Sequence, residues 1–283
     1  MIFRKIGLAV TFSPNGKALL LEAERLRELF GSKLLLIHIG EKTGRLESAL
    51  DELILSSGIK KENADIIWKE GDPAKNILQI CKNEQVDLLI AGALEKEKTL
   101  KYYAGSIARK IMREAGCSVL IKVFPAIPPR PYKHFCVSAL FSNDGENTIR
   151  KAYEFASLEK AEEFVLFNEF QVPGLAMTVY DSGSLQETEQ NLLKWHTEES
   201  EKLQLFVKEL NLSGIKIKTE SLYGKEGYEA GKYAKKTGGD ILVLTAPKIK
   251  LKFFDRVFQH DLEYLFENIP CDLLIVKPEK AEE

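Results

Sequence analysis

The sequence predicts an α/β protein of two tandem, doubly wound domains, each a five-stranded parallel sheet with helices on both faces. Three observations predict it. A pattern of glycine, helix, aspartate and apolar strand occurs twice. Short apolar runs alternate with amphipathic stretches along the chain. Four of the ten prolines, Pro125, Pro128, Pro129 and Pro131, fall within seven residues and divide the chain near residue 130.

The elements follow in order. In the first repeat the strands are expected at 5–11, 33–39, 65–70, 87–92 and 118–123. Runs such as LLLIHI and DLLIAG are apolar nearly throughout, as suits parallel strands covered on both faces. Between the first two lies KALLLEAERLRELF (17–30), in which Leu19, Ala23, Leu26 and Phe30 share a helical face. The second repeat opens with HFCVSALFS (134–142), matching KIGLAVTFS (5–13) in its apolar run and Phe-Ser end. Gly71 precedes Asp87 by 16 residues, and Gly224 precedes Asp240 by 16. Asp87 lies 30 residues before Cys117, and Asp240 lies 31 before Cys271. The domains are therefore placed at 1–126 and 132–279, with right-handed crossovers. Extra material in the second, at roughly 171–190, reads as an insertion or a surface loop over the sheet. A long helix follows near 189–211.

Composition narrows the function. The 283 residues carry a net charge of −2, which argues against a nucleic-acid coat. The total conceals an asymmetry. Residues 1–130 hold 21 basic and 16 acidic side chains, and residues 131–283 hold 19 and 26. Fields of opposite sign, +5 and −7, let the halves attract each other or different partners. No run approaches the ~20 apolar residues of a membrane span. The N-terminus lacks a signal-peptide pattern, so the expected location is cytoplasmic. Cys81, Cys117, Cys136 and Cys271 form no CxxC pair and read as buried free thiols. The four histidines have no metal-ligand spacing.

In an open parallel sheet a ligand binds beyond the C-terminal ends of the strands. The loops there are 11–16, 38–42 and 92–106. Gly92 at a strand end lets a ligand approach the backbone. Gly105-Ser106 open a helix, which offers backbone N–H groups and the positive end of a dipole to an anion. The plainer reading is that Ser106 caps the helix.

The segments GDPAKNILQI, DLLIAG and GSIARKIMREAGCSVLIKV resemble a universal stress protein domain over nearly the whole first repeat. The resemblance implies a Rossmann-like, adenine nucleotide alpha hydrolase-like fold with strand order 3-2-1-4-5. It also implies pairing of the domains through their fifth strands, 118–123 and 272–277. Nucleotide-binding members carry Gly-x2-Gly-x9-Gly-Ser/Thr. Here the spacing runs Gly92, Glu95, Gly105, Ser106, with glutamate in place of the second glycine. Thr11 stands where the family has an acidic residue contacting the adenosine moiety, and Ile39 where an apolar residue touches adenine. The implied binding set is Thr11, Ile39, Gly92, Glu95, Gly105, Ser106 and Ile107. Glu95 adds a negative charge beside a phosphate, and Thr11 cannot reproduce a carboxylate. In the second repeat these positions fall on Leu140, Thr245, Gln259 and His260, so the motif is lost there.

The resulting expectation is a non-enzymatic tandem stress-response protein acting by binding and association, its nucleotide site impaired, with no catalytic residue and no metal. The alternative is an ATP-binding switch or slow ATPase through domain 1, in which case ATP is the ligand. Homodimerisation and protein partners are left open. Three other patterns are set aside. HIGE (38–41) follows the second strand rather than the first. GKEGYEAGK (224–232) fails the phosphate-loop spacing. KIKLKFFDRVF (248–258) mixes basic and aromatic residues but runs directly into acidic ones.

Overall fold

The computed structural model describes residues 2–95, 102–172, 185–246 and 265–278, with only the backbone of Glu95, Tyr102 and a few others. Domain 1 contains β1 (Lys5–Ala9), α1 (Gly16–Phe30), β2 (Lys33–Ile39), α2 (Gly44–Ser56), β3 (Ala64–Lys69), α3 (Pro73–Asn83) and β4 (Leu88–Gly92). A two-residue ladder of β5 (Leu94–Glu95) and β6 (Tyr102–Tyr103) precedes α4 (Ser106–Glu114) and β7 (Ser118–Lys122). Domain 2 contains β8 (His134–Ser138), α5 (Asn143–Leu158), β9 (Glu163–Phe170), α6 (Leu185–Leu210), β10 (Ile217–Tyr223), α7 (Tyr228–Thr237), β11 (Ile241–Thr245) and β12 (Asp272–Val276).

Ten strands form one sheet in the order β10-β9-β8-β11-β12-β7-β4-β1-β2-β3. Each half is parallel and reads 3-2-1-4-5 in its own strand numbers. The fifth strands, β12 and β7, join the halves antiparallel, with Leu273 opposite Ile121, Leu274 opposite Leu120 and Ile275 opposite Val119. Each edge that would otherwise template aggregation is thereby covered by the other. Apolar cores lie on both sheet faces and run across the junction. One joins Leu20 and Leu26 of α1 to Phe155 of α5, and the other joins Ile111 to Phe266 and Leu273.

The repeated aspartates close each domain in the same way. Asp87 Oδ2 accepts from the backbone N–H groups of Arg4 and Lys5 at 2.8 and 3.1 Å. Asp240 Oδ2 accepts from those of Lys133 and His134 at 2.7 and 2.8 Å. Each aspartate thus clamps the start of its fourth strand to the start of its first. A half-buried backbone donor costs free energy when left unpaired; Asp240 pairs two of them, and Asp87 pairs that of Lys5 beside the exposed one of Arg4. The repeated glycines ahead of α3 and α7 have left-handed φ values, +115° at Gly71 and +146° at Gly224. All four cysteines are buried and free.

Candidate functional site

A cavity of about 510 Å³ opens at the C-terminal ends of the domain 1 strands. That volume suits a small-molecule ligand. It brings together six of the seven residues expected from the sequence: Thr11, Ile39, Gly92, Gly105, Ser106 and Ile107. The β5 backbone carries Glu95 beside this site, paired with Tyr102. Its side chain, like Lys96, Lys98 and Lys101, lies outside the described residues.

Local sequence explains how each wall is held. Gly92 ends β4 against α1, where an added Cβ would come 2.9 Å from Leu19 Cδ1. Glycine therefore keeps the cavity open at that strand end. Ser106 is the first helical residue of α4 rather than its cap. Gly105 is the cap and has no side chain to offer, so the helix start takes no side-chain acceptor. The expected serine cap is thus corrected, and the first-turn N–H groups of α4 face the cavity mouth with a dipole behind them. The start of α1 is similar. Asn15 caps it without a side-chain hydrogen bond, and no acidic residue occupies its first turn.

Ser13, Asn15 and Lys122 line the cavity without having been singled out in the sequence, as does Leu19, expected only on the core face of α1. Thr11 Oγ1 donates to Ser13 Oγ at 3.0 Å, which leaves a pair of neutral hydroxyls at the lip. Lys122 has one visible signal, a cation inside the apolar run VLIKV. It is the one ionisable side chain among the described lining residues, and no carboxylate is among them. His38 packs between Phe12 and Trp68, with ring centroids 4.9 and 4.4 Å away. Its Nδ1 lies 3.0 Å from the Val10 carbonyl, so it props the β1–α1 loop.

Domain 2 carries different side chains at the equivalent described positions. Counting from the matched strand starts, Lys33 and Glu163, the partner of Ile39 is Glu169. Its carboxylate accepts from the backbone N–H groups of Gly227 at 2.9 Å and Ala230 at 2.7 Å, at the start of α7. Burial pushes the Glu169 carboxyl up to about 7, against the pull of those two donors. Ser142 Oγ accepts from Gly145 N at 3.2 Å and caps α5. Thr245, the partner of Gly92, bonds to Thr148 of α5 at 2.9 Å. Gln259 and His260 lie outside the described residues, as does most of the expected insertion, 173–184. The helix after it begins at Leu185, earlier than the predicted 189. Among the described residues no group of three or more His, Cys, Asp or Glu side chains could hold a metal ion. No helix among them is long and apolar enough to cross a membrane.

These features define a class: a duplicated, doubly wound α/β protein with a crevice at the strand ends of domain 1. Residues 2–122 match the model of the Universal stress protein family. Domain 1 is thus similar to members of that family, and the chain has the universal stress protein fold built twice in tandem. A universal stress protein of Thermus aquaticus, from the QAH/OAS sulfhydrylase 3′ region, is 27% identical over 137 residues. That match spans 42% of this chain and 98% of the relative. The structure of a putative universal stress protein from Pseudomonas aeruginosa UCBPP-PA14 aligns with a TM-score of 0.70 at 17% identity, over 98% of this chain and 94% of that chain. A universal stress protein from Archaeoglobus fulgidus DSM 4304 aligns at 0.61 with 14% identity, over 96% and 98%. At these identities the structural matches establish the fold.

Proposed function

We propose that the protein is a stress-response binding protein whose domain 1 takes an adenine nucleotide in the cavity between β1, β4 and α4, and whose domain 2 takes none. The observation that supports this reading best is the cavity itself. Two helix starts without side-chain caps reach it, and no carboxylate stands among its described lining residues. The apolar side chains Ile37, Ile39 and Ile77 suit a planar base, and the N–H groups at Gly105-Ser106 suit phosphate. This favours the ATP-binding alternative over the expectation of an impaired site. Thr11 and Ser13 replace a carboxylate by neutral hydroxyls, which can still bond to ribose. The role is binding and association rather than turnover, because no His, Cys, Asp or Glu among the described lining residues is placed to act as a base or nucleophile.

Calorimetric titration with ATP, ADP and AMP, with and without Mg²⁺, tests it. Submillimolar binding is expected, with loss of at least tenfold in Gly92→Val, where the new side chain meets Leu19. Glu95→Gly, which restores the family's spacing motif, should tighten binding. Absence of binding in both the wild type and Glu95→Gly would overturn the proposal.

A further inference from the structure

The sheet junction holds a cluster of buried charges, and their division between the domains is unequal. Domain 1 contributes Glu22 and Arg25 from α1 and Lys122 from β7. Domain 2 contributes Asp272 from β12 and Glu159, which caps the end of α5. Lys122 Nζ lies 2.7 Å from Asp272 Oδ2 and 3.3 Å from Glu22 Oε1, and all three side chains are at least nine-tenths buried. Arg25 holds Glu159 through two bonds at 2.8 and 3.0 Å while also pairing with Glu22 at 2.9 Å. Tyr132 Oη donates to Asp272 Oδ2 at 2.7 Å, and Asp272 Oδ1 accepts from Val123 N at 2.7 Å.

The strand register makes this cluster selective. The pairs Leu273–Ile121, Leu274–Leu120 and Ile275–Val119, extended by one residue each way, set Asp272 beside Lys122 and Val276 beside Ser118. Ser118 and Asp272 are equivalent in the two repeats. Each begins its fifth strand, and each donates its N–H to the carbonyl of the clamp aspartate, at 3.0 and 3.2 Å. Two copies of β12 paired in this register would set Asp272 beside Val276 at both ends. Each end would then bury Asp272 and Glu159 with neither Lys122 nor Arg25 to face them. Two copies of β7 would set Lys122 beside Ser118, leaving Lys122 and Arg25 to share Glu22. Buried charge without a partner is strongly unfavourable, whereas the mixed pairing satisfies every member. A single polar or charged position is a well-attested device for fixing which strands or helices pair.

We propose that Lys122 and Arg25 of domain 1, acting with Asp272 and Glu159 of domain 2, specify pairing between unlike domains and exclude fifth-strand pairing between like domains of two chains. The surface exposed when the junction opens fits one partner, the complementary half of this chain. The charge asymmetry of the two halves is thereby concentrated at the contact it governs.

The test uses the full chain with a protease site in the 125–131 segment, nicked while folded. Light and isotope-heavy preparations are mixed and followed by native mass spectrometry. The wild type should yield only species holding one domain 1 and one domain 2. Glu159→Gln/Asp272→Asn, which keeps shape but removes the buried acids from domain 2, should exchange faster and yield pairs of domain 2. Val276→Ala, which trims the same strand without touching charge, should exchange faster and keep the unlike pairing. Like-domain pairs in the wild type would overturn the proposal. So would exclusive unlike pairing in Glu159→Gln/Asp272→Asn, or like-domain pairs in Val276→Ala. If the double variant does not fold, Glu159→Gln alone is read by the same criterion.

Discussion

In domain 1 the starts of α1 and α4 reach the crevice with no side chain capping them. In domain 2 Ser142 caps α5, the counterpart of α1, while α7 is held by Glu169 from β9 where its counterpart α3 is capped by its own Asp72; the counterpart of α4 lies outside the described residues. The scaffold beneath is the same, down to a glycine pressed against the loop after the first strand. A Cβ on Gly16 would meet the Thr11 carbonyl at 2.5 Å, and one on Gly145 would meet the Leu140 carbonyl at 2.0 Å. The duplicated fold therefore demands its glycines and clamp aspartates twice, but its donors only need acceptors. At the start of α5 the chain supplies one from within, through Ser142, whereas at the matching start of α1 the donors stay available to a ligand.

The comparison is most open to test at the junction, where the equivalent positions are Ser118 and Asp272. Asp272→Ser makes the two strands alike there. It leaves Lys122 short of a buried partner and Val123 N–H short of an acceptor. A loss of about 3–5 kcal/mol is expected in urea unfolding. A loss below about 1 kcal/mol would show that Glu22 alone suffices for Lys122.

Glu169 should give domain 2 a pH signature. The Glu169 carboxyl is raised to about 7 in the folded protein, above the ordinary carboxylate range of the unfolded chain. Burial raises Glu159 as well, with Arg25 opposing. The folded state therefore holds these protons more tightly than the unfolded state. Stability should be fully present at acid pH near the unfolded value and should fall as pH rises through about 7. The Glu169 share is on the order of 3 kcal/mol. Unfolding midpoints measured between about pH 5 and 8 should decline with pH in the wild type and decline less in Glu169→Gln. A flat profile would break the account of Glu169 as a desolvated cap.

The smallest effect is expected at α5. Ser142→Ala removes its cap and should cost about 1 kcal/mol. Asn15→Ala at the matching position of α1 should cost only a few tenths, since Asn15 makes no side-chain cap bond. Equal costs would mean that the two helix starts do not differ as the structure shows.

Much of this architecture is legible in the residues. Apolar runs mark all five sheet strands of domain 1 to within a residue or two, because strands covered on both faces leave few polar side chains. The Gly71–Asp87 and Gly224–Asp240 spacings mark both the left-handed turns and the clamps. Thr11, Ile39, Gly92 and Gly105 are legible through a motif. Lys122 is visible only as an anomaly in VLIKV, with nothing nearby in sequence to say that its partner is the remote Asp272. Glu169 is harder still. A glutamate near a strand end is ordinary, and its meaning comes from α7, which a separate stretch of chain brings alongside.

Family resemblance supplied the strand order, and local chemistry by itself determined the number of domains, the alternation of strands and helices, and the loops that meet at the crevice. These depend on periodicity, glycine φ and short-range spacing, which neighbouring residues settle. Only the tertiary structure decided which side chains line the domain 1 crevice, which helix starts lack caps, and which buried charges face each other across the sheet. Those outcomes depend on pairs such as Arg25 with Glu159 and Lys122 with Asp272, remote in the chain and brought together by a register that packing of the two halves selects.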